Sequence, residues 1–105
     1  MVIEESVKKV IEESAFLVLI TVCPDGTPHP IVAGKGTVSG GNVIFNIHKM
    51  EQTRKNILGN SKAQALCATL NGAPQGFRLS GTAAVAENAE GKQLVLCVDR
   101  VDSLI

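Results

Sequence analysis

The chain has 105 residues, 45% of them apolar and 19% charged, which is enough apolar material for the core of one domain over residues 1–105 and too little charge for disorder. Ten lysines and arginines balance ten aspartates and glutamates, which excludes a net basic field able to gather nucleic acid or an anionic membrane. The longest apolar run, Ala15 to Cys23 with Thr21 inside it, is shorter than the ~18 residues that span a bilayer, and Glu4 and Glu5 precede the first lysines, so a cytoplasmic protein is expected.

Ile3, Val7, Val10 and Ile11 recur at helical spacing with acidic and basic residues between them, so the pattern predicts an amphipathic helix over residues 2–14. Residues 16–22 are rich in β-branched and aromatic side chains and stop at Pro24-Asp25-Gly26, which predicts a first strand and a hairpin turn. A second strand is expected from about Pro28 to Val38, ending at Ser39-Gly40-Gly41-Asn42, and a third over residues 43–47. Residues 51–58 break the alternation and are followed by Gly59-Asn60, the mark of a short helix. Strands four, five and six are expected over residues 62–70, 76–86 and 93–101. Six closely spaced strands, joined mostly by turns, favour an antiparallel closed sheet, because parallel pairing needs a crossover at each step.

Cys23, Cys67 and Cys97 are odd in number and widely spaced, which suits free, buried thiols in a reducing compartment better than a disulfide framework. Phe16, Phe45 and Phe77 sit at strand positions that read mostly as core. His29 and His48 have no second ligand at metal spacing, and no base can be paired with a cysteine nucleophile.

The chemistry concentrates where strand three meets the short helix, His48-Lys49-Met50-Glu51-Gln52-Thr53-Arg54-Lys55-Asn56-Ile57. A helix start presents free N–H groups and the positive end of its dipole, and Lys49, Gln52 and Thr53 add a charge and two neutral donors suited to a phosphate. The alternative is an ordinary capped helix with a solvated polar face. Glu51 at the same end repels an anion unless its carboxylate points away.

The hairpin with an Asp-Gly turn, followed by Met50, Gln52-Thr53, Asn56-Ile57, Asn60 and Lys62-Ala63, resembles the FMN-binding split-barrel family, which includes the pyridoxamine 5'-phosphate oxidase-like proteins. Residues 76–83, Gly-Phe-Arg-Leu-Ser-Gly-Thr-Ala, resemble the strand that follows in that family. The resemblance implies a mainly β fold, a six-stranded antiparallel split barrel with an N-terminal helix and a short helix after strand three. It implies an FMN phosphate at Gln52 and Thr53, with Lys49 and Met50 beside the ribityl chain and ring, and the isoalloxazine against Val32, Ala33, Gly34 and Lys35. Gln52 stands where a lysine is common in the family. A homodimer with the flavin between subunits is implied as well, and many apolar strands with few helices to cover them point the same way.

Two functions follow as expectations: a small flavin-dependent oxidoreductase, or an electron carrier that holds FMN without an organic substrate site. Only Asp102-Ser103-Leu104-Ile105 follow Val101, whereas the family's oxidases carry a longer substrate-binding part, which leans toward the carrier. No catalytic residue is assigned. A related barrel with a deazaflavin, a haem or no cofactor is the alternative.

Overall fold

A computed structural model describes residues 1–47, 50–88 and 91–105. Helix α1 covers Glu5–Glu13 and buries Val7, Val10 and Ile11, the stripe anticipated from their spacing. It begins later than residue 2, although Ile3 ahead of it is buried in the same core. Ser14 ends the helix in an extended conformation and ties it to the sheet: its hydroxyl donates to the Val10 carbonyl at 2.7 Å and accepts from the Ala68 N–H at 3.1 Å.

Seven strands follow: β1 (Leu17–Val22), β2 (Pro28–Gly34), β3 (Gly36–Ser39), β4 (Asn42–Ile47), β5 (Lys62–Thr69), β6 (Gln75–Asn88) and β7 (Gly91–Ser103), with helix α2 (Glu51–Gly59) between β4 and β5. All pair antiparallel in one curled sheet of order β2-β1-β5-β6-β7-β4-β3. The expected six strands become seven because the stretch read as one strand over residues 28–38 is two. Gly34 adopts φ +77°, a left-handed conformation open to glycine, and breaks the ladder before Lys35. This corner carries the chain from one edge of the sheet to the other, so β2 and β3 are sequence neighbours at opposite ends of the strand order. β2 lies against β4 across the gap, which gives the sheet the shape of a split barrel.

Strand alternation sets the inner face. Leu17, Leu19, Val43, Phe45, Leu79 and Leu96 are fully buried there, and the buried stripe of α1 joins them. Two of the expected core assignments fail. Phe16 is 52% exposed, because it precedes β1 instead of joining its inward alternation, and Cys97 is exposed, because it points outward between the buried Leu96 and Val98. Cys67 is buried, Cys23 is half-buried, and all three thiols are free. Among the described residues no helix is long and apolar enough to cross a membrane.

Candidate functional site

Helix α2 sits against β1 through one polar cluster. Asn56, 2% exposed, donates from Nδ2 to Thr21 Oγ1 at 3.0 Å and more weakly to Cys23 Sγ at 3.6 Å, and Gln52 Nε2 donates to Asn56 Oδ1 at 2.8 Å. Thr21 is an inward residue of β1, so Asn56 fixes the helix to the sheet where an apolar side chain would have left the threonine hydroxyl buried without this partner. Gln52 is held in turn, one amide proton committed to Asn56 and the rest of its amide available.

The other end of that arrangement is the start of the helix. Met50 is its N-cap and makes no side-chain capping bond, so no side chain at that position covers the N–H groups of the first turn. Strand β2 runs past this turn, and the two enclose an open cleft of about 290 Å³ lined by His29, Ile31, Val32, Met50, Glu51, Gln52 and Thr53. The β2 wall sets two apolar side chains, Ile31 and the 63% exposed Val32, beside His29. The other is polar and carries the helix dipole, with Glu51 exposed in the same first turn. Wider hollows exist, one of 630 Å³ between α2 and β6 and one of 520 Å³ on the outside of the sheet, but neither borders a helix start.

Of the residues singled out from sequence, Val32, Met50, Gln52 and Thr53 come together in the cleft. Thr53 lines it from a packed position, only 1% exposed. Ala33 faces the core, so only its backbone is open to a ligand, while Gly34 and Lys35 form the corner just past the lining residues of the strand. Lys49 and His48 lie outside the described residues. Ile31 and His29 were not anticipated in the cleft; they line it because β2 pairs with β1 at Leu19↔Ile31 and Thr21↔His29, the same stretch on which Asn56 anchors the helix. Asn56 was visible only as part of a family-like motif. Its hydrogen bonds across 35 residues of sequence leave no local signal.

Burial pushes the Cys67 thiol above its ordinary value, which suppresses the thiolate. Asp25, in the β1–β2 turn, is held below the usual carboxylate range, first by the Thr27 hydroxyl at 2.6 Å and then by the Thr27 N–H at 3.0 Å. These bonds fix the turn and lie outside the cleft.

Solved structures share this fold at low sequence identity. HupZ of Group A Streptococcus matches with a TM-score of 0.83 at 22% identity, over 97% of this chain and 94% of that one. The conserved hypothetical protein Rv2991 from Mycobacterium tuberculosis matches at 0.80 and 15%, over 98% and 85%. An F420 reductase matches at 0.80 and 15%, over 95% and 98%. Comparison with curated proteins gives no match. The family model for pyridoxamine 5'-phosphate oxidase matches residues 3–102, nearly the whole chain, and the chain belongs to that family.

Proposed function

We propose that this chain is an FMN-binding redox protein of one domain, with the flavin phosphate at the first turn of α2 beside Gln52 and Thr53 and the isoalloxazine along Val32 to Lys35. The observation that carries this reading is the pairing, in one cleft, of a helix start without a side-chain cap and an exposed apolar strand residue, Val32. A flavin mononucleotide has those two ends, a dianion and a flat apolar ring. The residues fit: the N–H groups and the Gln52 amide can donate to phosphate oxygens, Gly34 leaves open space where a side chain would otherwise stand, and Glu51 is exposed, free to turn its carboxylate to solvent. When bound, FMN supplies the electron chemistry, while the chain positions it and limits water at the ring. The cleft is shallow on its outer side, which supports a homodimer whose second copy closes it. The three free cysteines support a reducing, cytoplasmic setting.

The fold match to an F420 reductase supports a second reading, a deazaflavin in the same cleft. Titration of the purified protein with FMN, riboflavin, F420 and haem, followed by absorbance and flavin fluorescence, separates these. The FMN reading requires saturable binding of FMN that is tighter than that of riboflavin, which lacks the phosphate. Equal affinity for both, or preference for F420 or haem, overturns it. Oxidation of reduced nicotinamide by the FMN-loaded protein then separates an oxidoreductase from a carrier.

A further inference from the structure

Among the described residues that line the cleft, His29 is the one whose side chain can take a positive charge. Its place follows from register. His29 pairs with Thr21 and Ile31 with Leu19, and directly paired residues stand on the same face of a sheet, so both point to the side on which α2 packs. Pro28, Pro30 and Val32 alternate with them and are exposed, whereas His29 and Ile31 are half-buried. Pro30 restricts His29, which precedes it, to an extended backbone, and Pro28 fixes its own φ on the other side. The imidazole is thus set by the sheet, beside the threonine whose hydroxyl accepts from Asn56, which in turn accepts from Gln52.

The charges around it are few. From α2 the cleft receives one charged side chain, Glu51, together with the neutral Gln52 and Thr53. The residues of β1 that face His29 and Ile31 are Thr21 and Leu19, both uncharged. Asp25, in the turn joining β1 to β2, is engaged by Thr27, and Lys49 lies outside the described residues. A phosphate at the first turn of α2 therefore meets one carboxylate and, among the described residues of the cleft, no permanent cation. A helix dipole and neutral donors hold a dianion less strongly than a full positive charge does.

We infer that His29, as imidazolium, is the cation that pairs with the ligand's phosphate across the cleft, so that the site holds a phosphate-bearing flavin at mildly acidic pH and releases it as pH rises. This rests on the phosphate position of the proposed function and adds a residue of β2 to it. Histidine changes charge between about pH 5 and 8, and a phosphate monoester gains its second negative charge near pH ~6. From about pH 6.5 upward the free phosphate is a dianion while a free imidazole sheds its proton. Forming the charged pair then takes up a proton, and affinity falls as pH rises. The Glu51 carboxylate opposes the phosphate throughout this window and adds no slope.

Fluorescence titrations of the full chain with FMN and riboflavin at about pH 6.5, 7.5 and 8.5 test this. Wild-type affinity for FMN should fall by about tenfold across the series, and affinity for riboflavin, which has no phosphate, should not. His29→Gln keeps a donor but cannot take the charge; it should bind FMN several-fold more weakly at about pH 6.5, with a flat profile. His29→Arg keeps the charge at every pH in the series and should bind FMN with a flat profile and no such loss. A wild type that prefers FMN to riboflavin equally at every pH, or a His29→Gln variant with the wild-type slope, overturns the role of His29 and leaves the phosphate at α2 standing. A slope shared by riboflavin overturns it too, since it then belongs to the protein and not to the phosphate. Equal binding of both flavins by the wild type at about pH 6.5 removes the phosphate reading itself, and this inference with it. Should His29→Gln fail to fold, by far-ultraviolet circular dichroism, a wild-type slope retained in His29→Arg overturns the inference.

Discussion

Asn56 on α2 and Thr21 on β1, 35 positions apart and both buried, share a hydrogen bond of 3.0 Å that fixes where the helix begins relative to the sheet. Removing Asn56 leaves the buried Thr21 hydroxyl without this partner. Asn56→Leu should therefore lower stability by about 1–3 kcal/mol. Because the same change releases Gln52, FMN affinity should fall with it, whereas the Thr21→Val, Asn56→Leu double variant should recover part of the stability and none of the affinity. Denaturant unfolding and flavin titration read the two effects separately.

At the helix start, Thr53→Val keeps the shape and removes a hydroxyl, and FMN binding should weaken by about 1.5–3 kcal/mol, the range for a hydrogen bond to a charged group. Gln52→Lys supplies a charge and should tighten FMN, less so as salt rises, because the added attraction is screened. Riboflavin should respond little to either change. Titrations in low and high salt check the pair; both variants moving FMN affinity in one direction would place the phosphate elsewhere.

The thiols should label in the order Cys97, Cys23, Cys67. Cys97 is exposed, Cys23 is half-buried against Asn56, and Cys67 is buried with its thiol pushed toward the protonated form. Timed alkylation followed by mass spectrometry measures this, and rapid modification of Cys67 in the native protein would contradict its placement.

Asp102 sits below its ordinary value of 3.8, chiefly through the Arg78 hydrogen bond and further through Arg100. Its folded value is depressed, so its contribution to stability is fully present above the unfolded value and disappears as pH falls through the folded one. The stability difference between wild type and Asp102→Asn should thus be constant near neutrality and shrink as pH falls toward and below 3.8. Unfolding midpoints across an acid series decide it.

Gly81 lies at the irregularity between Ser80 and Gly81 in the β6–β7 ladder, where an added Cβ would collide with the Cys97 carbonyl oxygen, a backbone atom that cannot turn aside. Gly81→Ala should cost about 1–3 kcal/mol, as overpacking does. A thermal melt unchanged from wild type would count against so close an approach of the two strands.

The sequence carried the elements whose side chains repeat with the period of their own secondary structure. The stripe Val7, Val10, Ile11 and the alternation Leu17, Leu19, Thr21 are both legible, because burial on one face writes itself into the spacing. That the strand ends at Gly34 is not, because glycines there fit a bulge or a close ligand approach as well as a corner, and a positive φ leaves no mark in side-chain spacing. In the cleft, Gln52 and Thr53 were legible through the chemistry of a helix start. His29 and Ile31 were not, since they are placed by register with β1, and register depends on the sheet as a whole.

That same corner bears on self-adhesion. The sheet is open at two margins, β2 and β3, and an open margin is a template for stray chains to add to. Here both margins belong to one stretch of twelve residues, 28–39, folded back at Gly34, and Pro28 and Pro30 in that stretch lack the N–H a newcomer would need. A single bend at Gly34 thus joins the two open borders of the sheet, and the prolines that blunt one of them, β2, lie just ahead of the strand that forms the other.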